Sequence, residues 1–216
     1  DEAGNTTTTT QDVTIDTTTS NSVDITDEGG DNTINATEVE TSDISGNVEA
    51  GSTINSLTIT DEDGNSVTVN TDDITLNDDG SYSVDNVDLS SLSDGTLTTT
   101  VTSTDTAGNT TSSSDTINKD TSVETTTADL ADSSDTGDSN TDDITSDNTP
   151  TITGTTEAGA TVVITDEAGN EVGTATADEN GNYSITTSQL DDGAQTLTVT
   201  ATDEAGNTTT TTQDVT

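Results

Sequence analysis

The sequence predicts an all-β protein that contains two tandem antiparallel β-sandwich domains. Short runs in which apolar residues alternate with Thr and Ser are separated by turns rich in Asp, Gly and Asn. This spacing of strands and turns is typical of β-sandwiches. Several motifs also occur twice in the same order, which indicates two homologous units.

The first unit shows the strand pattern most clearly in its middle. Leu57 and Ile59 alternate with polar residues before a turn at residues 61–65, and Val67 and Val69 alternate after it. Because successive side chains of a strand point to opposite faces, this period of two predicts a hairpin with one buried face.

The second unit has the same kind of pattern. Ile164 precedes a turn at residues 166–170, and Leu197 and Val199 alternate with Thr before a turn at residues 203–207. Thr is β-branched and polar, so it suits the exposed face of these strands. No segment has the length and period of an amphipathic helix.

The two ends of the chain repeat each other. Residues 1–14 and residues 203–216 are identical, with the sequence DEAGNTTTTTQDVT. We therefore interpret the chain as one period of a tandem array with a short overlap. The predicted division is a final-strand overlap from a preceding repeat (1–14), a first sandwich domain (15–118) and a second (119–216).

Each predicted domain has a thin core with a single tyrosine. Tyr82 and Tyr183 follow equivalent Gly turns, and we expect each to be the largest core side chain of its domain. Domains with so few large apolar groups have little stability to spare. Repulsion among the acids lowers it further, and a bound divalent cation would offset that loss.

The composition excludes most catalytic chemistry. The chain has 44 acidic residues, one basic residue (Lys119), no His and no Cys. It therefore lacks a thiol nucleophile, an imidazole base and an arginine for phosphate. A glycosidase with two carboxylates would still be feasible, but its cleft normally needs aromatic residues. We expect no enzyme, no catalytic residues and no cofactor-binding residues.

The formal net charge of −43 also predicts which partners the chain binds. It repels nucleic acid and anionic lipid, because no basic residues are present to replace phosphate counterions. No apolar run of about 18 residues occurs, so we expect no direct membrane insertion. Carboxylate oxygens attract hard cations, above all Ca²⁺.

Several motifs together resemble a known family. They are Thr-Asp-x-Ala-Gly-Asn-Thr-Thr at residues 104–111 and 202–209, TPTITGTTEAG at 149–159, and DNTINATE at 31–38. They are similar to the bacterial immunoglobulin-like tandem repeats of giant calcium-dependent surface adhesins, including the extender repeats of RTX and biofilm-associated adhesins. The calcium-binding nonapeptide of RTX proteins is absent.

The resemblance implies two tandem immunoglobulin-like antiparallel β-sandwich domains with calcium at the domain junctions. It also implies an extracellular location on the bacterial cell surface. The repeat would act as a spacer between a surface anchor and a distal binding domain, with neighbouring repeats of the same array as its partners.

The first candidate metal ligands are carboxylates at the domain junctions. Because the chain enters a sandwich at one pole and leaves at the other, each Asp-x-Ala-Gly-Asn turn faces the linker that precedes its domain. We therefore expect Asp105 to lie near Asp16, and Asp203 near Asp120. Backbone carbonyls and water would complete the 6–8 ligands of Ca²⁺. The alternative is that these aspartates only solubilise the turns.

Acidic loops near the start of each domain are the second candidates. Their oxygen spacing suits a calcium loop, although neither is an EF-hand, and a solvated acidic loop is the alternative. The predicted ligands are Asp27, Asp31, Asn35 and Glu38 in the first domain, and Asp132, Asp135 and Asp143 in the second.

The sequence leaves more than one function open. The favoured hypothesis is a calcium-rigidified extender, or stalk, of a surface adhesin. The alternative is a subunit of an extracellular filament or sheath, in which chains self-associate by exchanging β-strands. A carbohydrate-binding module is disfavoured, because aromatic residues make up only 1% of the chain.

Overall fold

The structure, a computed structural model, describes residues 2–27 and 29–216. Asp1 of the overlap segment and Glu28 of the first acidic loop lie outside the described residues. The strands of the first sandwich are β1 Asn21–Thr26, β2 Thr33–Ile34, β3 Ser42–Val48, β4 Thr53–Thr60, β5 Ser66–Thr68, β6 Thr75–Leu76, β7 Ser81–Val87, β8 Gly95–Thr104 and β9 Thr110–Lys119.

These strands form two sheets with a shared core. One sheet has the order β1-β3-β7-β6 and the other the order β2-β9-β8-β4-β5. The pairings are antiparallel except that of β2 with β9, which is parallel. A short 3-10 turn, Thr71–Asp73, lies between β5 and β6.

The second sandwich is built in the same way from two sheets. Its strands are β10 Asp129–Leu130, β11 Thr151–Thr155, β12 Thr161–Thr165, β13 Glu171–Thr176, β14 Asn182–Thr186, β15 Gln195–Thr202 and β16 Thr208–Val215. The sheet orders are β10-β11-β14 and β13-β12-β15-β16. Each sandwich has its own cluster of buried apolar residues, so the predicted fold class of two tandem all-β sandwiches is confirmed.

The alternating pattern of the sequence becomes the two faces of each sheet. In β15, Leu197, Val199 and Ala201 are fully buried, while the intervening Thr side chains are partly exposed. The predicted turns at 61–65, 166–170 and 203–207 connect adjacent antiparallel strands. The turn predictions are therefore confirmed.

Both tyrosines lie in the cores, as the sequence predicts. Tyr82 and Tyr183 are 2% and 5% exposed. The hydroxyl of Tyr82 donates to the Ser22 carbonyl at 2.9 Å, and that of Tyr183 donates to the Thr127 carbonyl. Burial raises the pKa of each phenol to about 12. The tyrosines thus stay neutral. Tyr82 links β7 to β1 within one sheet, and Tyr183 links β14 to the segment that precedes β10 of its own sheet.

Lys119 has a different position from the one we expected. The predicted division makes it the first residue of the second domain, but it is the last residue of β9 in the first sandwich and is 4% exposed. Its Nζ donates to the Leu92 carbonyl at 2.6 Å and lies 3.1 Å from Asp94 Oδ1. A buried ammonium requires such partners, and β9 is paired with both β2 and β8 as far as Lys119.

Candidate metal centres

Two acidic clusters lie at corresponding places in the two sandwiches. The first cluster is Asp16, Glu49 and Asp105, and the second cluster is Asp120, Glu157 and Asp203. In each, one carboxylate oxygen per residue lies within 4.8 Å of the others. Among residues 2–27 and 29–216, these are the groups in which three acidic side chains come so close together.

The structure therefore joins the residue pairs that the sequence placed at the junctions. Asp16 meets Asp105, and Asp120 meets Asp203. Asp16 and Asp120 come from the segments that enter the two sandwiches, whereas Asp105 and Asp203 begin the β8–β9 and β15–β16 turns. Each cluster thus brings an incoming segment together with the domain that follows it.

The third member of each cluster was missed by the sequence reasoning. Glu49 and Glu157 follow β3 and β11 in the Glu-Ala-Gly motifs that mark the repeat. The prediction of junction ligands included only aspartates and therefore omitted these two glutamates. The signal was the equivalent position of one acid in both repeats, next to a turn at the same pole.

The first cluster is organised by the turn at residues 105–109. Asp105 Oδ1 accepts hydrogen bonds from the backbone of Ala107 (2.9 Å) and Asn109 (2.8 Å), and Oδ2 accepts from Asn109 Nδ2 (2.7 Å). Gly108 has a φ of 94°, which favours glycine. The Asn109 side chain, more than any other group, holds the pKa of Asp105 below its ordinary value of 3.8. Asp105 is therefore ionised at neutral pH.

The second cluster has the same turn and is more buried. Asp203 accepts from Asn207 N (2.8 Å) and Asn207 Nδ2 (2.9 Å) and is 7% exposed. Asp120 and Glu157 are half-buried, whereas Asp16 and Glu49 of the first cluster are exposed. Glu157 also accepts a hydrogen bond from the Glu124 backbone at 3.3 Å.

Direct hydrogen bonds connect the two sandwiches at the second cluster. Asn207 Nδ2 donates to the Asp120 carbonyl at 2.9 Å, and Asn207 Oδ1 accepts from Ala36 N at 2.9 Å. Asn35 Nδ2 donates to the Ala205 carbonyl at 3.0 Å. The turn of the second sandwich therefore contacts the acidic loop of the first, in addition to the linker.

The donor chemistry of the clusters fits a hard divalent cation. All the donors are carboxylate oxygens, which Ca²⁺ prefers, and each group of three carries three negative charges in a small volume. Their mutual repulsion is least screened by water in the more buried second cluster. The only basic side chain of the chain, Lys119, contacts Asp94 instead.

The first acidic loop is held by its own hydrogen bonds. Asp27 accepts from the backbone of Gly30 and Asn32, and Asp31 accepts from Thr33 N at 2.9 Å. Glu38 is buried and accepts from Asn35 N at 3.0 Å. Among its described residues, the structure does not bring three acids of this loop together as it does at the junctions, and Asn35 instead contacts the second sandwich.

The second acidic loop contains an unpaired buried carboxylate oxygen. Asp135 is 7% exposed; its Oδ2 accepts from Asp143 N at 3.3 Å, whereas its Oδ1 is buried and has no hydrogen-bond partner among the described residues. Asp143 has a φ of 56°, and Asp132 is exposed. A buried oxygen of this kind costs free energy unless a cation or water satisfies it.

No helix within residues 2–27 or 29–216 has the length and apolar character to cross a membrane. No curated protein matches the sequence.

Several solved adhesion proteins are similar to this chain. A tandem repeat from the extending region of a large adhesion protein shares 32% identity, over 91% of this chain and 49% of that one, with a TM-score of 0.40. A 1.5-MDa bacterial ice-binding adhesin shares 26% identity over 93% and 65%, with a TM-score of 0.48. A Ca²⁺-stabilised adhesin with which an Antarctic bacterium binds ice shares 27% over 92% and 48%, with a TM-score of 0.45.

The chain therefore spans about half to two thirds of the length of these solved chains. The family comparison concerns the second sandwich. Residues 122–216 match the model of the bacterial Ig-like domain, in agreement with the resemblance in sequence. The second sandwich is thus the part of the chain that resembles the bacterial Ig-like domain family.

Proposed function

We propose that this chain is a calcium-rigidified extender repeat of a large secreted bacterial surface adhesin. It would hold a distal binding domain away from the cell in adhesion or biofilm formation. The observation that carries the proposal is the pair of equivalent clusters, each of which joins an incoming segment to the next sandwich through three carboxylates.

Calcium would act by linking parts of the chain that otherwise repel each other. Asp120 lies between the sandwiches, and Glu157 and Asp203 belong to the second one. One ion with these ligands would fix the angle between linker and domain, with Asp16, Glu49 and Asp105 in the same role one domain earlier. Direct coordination acts at about 2.4 Å, whereas repulsion between domain bodies is screened beyond about 8 Å at physiological salt.

We propose further calcium sites in the two acidic loops, each supported by a different observation. Asp135, with its unpaired buried oxygen, would bind a further ion together with Asp132 and Asp143. In the first loop, carboxylate oxygens of Glu38 and Asp31 both lie close to Gly29. They are 3.1 and 3.7 Å from the position that a Cβ atom would take on this glycine. Asp27 and Asn35 would complete that site.

The proposed location is the extracellular surface of a bacterium, where millimolar calcium would keep weak sites filled. The adhesin of the Antarctic bacterium is described as stabilised by Ca²⁺. We propose calcium for this chain on the geometry and charge of its own clusters.

The decisive experiment measures stability and shape with and without calcium. We expect millimolar Ca²⁺ to raise the melting temperature well above that in EDTA, and small-angle scattering to show a narrower distribution of shapes. Mg²⁺ should substitute poorly, because it requires six near-ideal ligands and retains its water.

A matched pair of variants locates the effect. Glu157→Gln should reduce the narrowing of the shape distribution that calcium causes in small-angle scattering. Glu171→Gln, which removes the same charge from an exposed strand position, should leave this narrowing unchanged. Identical melting curves in calcium and EDTA would refute the proposal, as would a Glu157→Gln variant that responds like the unmodified chain.

A further inference from the structure

The C-terminal pole of the second sandwich contains a cleft of about 200 Å³. Its walls include the apolar side chains of Pro150, Leu190 and Val215, together with Asp192 and Gly193. It opens beside Thr216, the residue that follows β16.

The corresponding place in the first sandwich is filled by Lys119. That residue pairs with Gly95 across β8 and β9. Its side chain extends to the Leu92 carbonyl and the Asp94 carboxylate. Leu92, Asp94 and Gly95 occur in the same order and spacing as Leu190, Asp192 and Gly193, which border the cleft of the second sandwich.

The backbone supports this equivalence independently of the side chains. Asn118 N donates to the Asn32 carbonyl at 3.4 Å, and Thr216 N donates to the Asp143 carbonyl at 2.9 Å. Asn32 and Asp143 share an unusual positive φ, of 67° and 56°. Thr216 is thus the counterpart of Asn118, and the residue bonded to Thr216 in a tandem array would be the counterpart of Lys119.

The overlap of the two chain ends indicates which residue that is. Residues 1–14 repeat residues 203–216, so Val13 corresponds to Val215 and the residue after the overlap is Ile15. Val215 is 4% exposed in its sheet, whereas Val13 and Ile15 are 75% and 83% exposed without one. An isoleucine in the cleft would contact Leu190, Val215 and Pro150.

We propose that in a tandem array this cleft accommodates Ile15 of the next copy of the repeat. In such an array residues 203–216 of one copy are also residues 1–14 of the next, so Ile15 follows Thr216 directly. This inference rests on the tandem arrangement of the proposed function but not on calcium. Lys119, the sole lysine of the chain, and this isoleucine then occupy equivalent positions. Junctions with a buried lysine and junctions with a buried isoleucine would therefore alternate along the array.

The residues after Ile15 extend the correspondence. Thr121 donates to Asp94 from its backbone (3.2 Å) and its hydroxyl (2.9 Å). In the proposed junction, Thr17 of the second copy would donate to Asp192 in the same way.

The test lengthens the full chain after Thr216 by the four residues Ile-Asp-Thr-Thr, the sequence of residues 15–18. Matched extensions begin with Lys or Gly instead of Ile. We expect the Ile and Lys extensions to raise the melting temperature of the second sandwich by about 5 °C or more, and the Gly extension to do much less. Residue-resolved NMR signals of Tyr183 report on the second sandwich, and those of Tyr82 on the first as an internal control.

Amide hydrogen exchange provides a local readout. The Ile extension should slow exchange at Thr216 and Thr145 by about tenfold or more, because both amides pair across the end of the cleft. Equal effects of the Ile and Gly extensions, or stabilisation by Lys alone, would overturn the inference. The same result is expected in calcium and in EDTA, so a failure of calcium binding and a failure of this cleft are distinguishable.

Discussion

At the scale of single residues, Lys119 shows how much a position depends on its surroundings. In the sequence it stands between Asn118 and Asp120, as a linker lysine would. In the structure it is buried and paired with Asp94, which is 37% exposed. Removing one member of such a pair leaves the other charge without a partner, although exposure of Asp94 moderates the cost.

This position gives a prediction for proteolysis. Trypsin has one site in the sequence, after Lys119, and burial in β9 should protect it whether or not calcium is present. Asp94→Asn should destabilise the first sandwich, on the order of 2 kcal/mol, and accelerate the single cut. Asp85→Asn, an equal charge change at an exposed strand position, is the control.

The cleavage rate is followed by electrophoresis at a fixed trypsin concentration. Rapid cutting of the unmodified chain under folding conditions would show that Lys119 is accessible. That result would contradict the burial of this side chain.

At the scale of elements, identical sequences take different structures in this chain. Residues 208–215 form β16, whereas the equivalent residues 6–13 are not in a strand. The difference is that β16 pairs with β15 along its whole length. Strand structure here depends on a neighbouring strand, because the intrinsic preference of Thr-rich sequence is weak without one.

The aspartate turns predict how stability depends on pH. Asp61 accepts hydrogen bonds from Ser93 N (2.9 Å) and from Asn65 N and Nδ2 (both 2.8 Å). The Ser93 backbone bond is the largest cause that lowers its pKa from 3.8 to about 2. A lowered carboxylate pKa stabilises the fold above pH 3.8, and this contribution is lost as the pH falls towards 2.

Charge repulsion acts in the opposite direction. Protonation of the 44 acids relieves the self-repulsion of a chain with net charge −43. Without calcium, stability should therefore rise as the pH falls from 7 towards about 4, and then drop below that value.

Thermal denaturation in EDTA across this range checks the expectation. Asp61→Asn should flatten the acid side of the curve, whereas Asp78→Asn, at an exposed turn position, should not. A monotonic fall in stability from pH 7 downwards would show that charge repulsion does not govern the pH dependence of this chain.

At the scale of the whole molecule, we expect two sources of stiffness at the junction between the sandwiches. One is the second acidic cluster, which the proposed ion would link. The other is direct contact, since Asn207 bonds both the Asp120 carbonyl and Ala36 N. Removal of calcium alone should therefore leave part of the stiffness of this junction.

A variant separates the two contributions. In EDTA, Asn207→Ala should broaden the distribution of shapes in small-angle scattering beyond that of the unmodified chain. Asn109→Ala, the same change in the equivalent turn of the first sandwich, removes a contact with the incoming segment at Asp16 and should have a smaller effect. Equal scattering from the two variants would place the stiffness elsewhere.

The sequence by itself determined the fold class, the turns, the core tyrosines and the pairing of Asp16 with Asp105 and of Asp120 with Asp203. The fold class, the turns and the tyrosines follow from local periodicity, turn chemistry and the repeat. The aspartate pairs follow from the predicted path of the chain, which places each entry linker and the Asp-x-Ala-Gly-Asn turn at the same pole.

Only the tertiary structure decided the remainder. It brought Glu49 and Glu157 into the clusters, buried Lys119 beside Asp94 and connected Asn207 to the first sandwich. The physical reason is that these contacts depend on side-chain positions that neither the strand pattern nor the path of the chain specifies. Their distances depend on how sheets pack and where the poles of two domains meet, which no local pattern encodes.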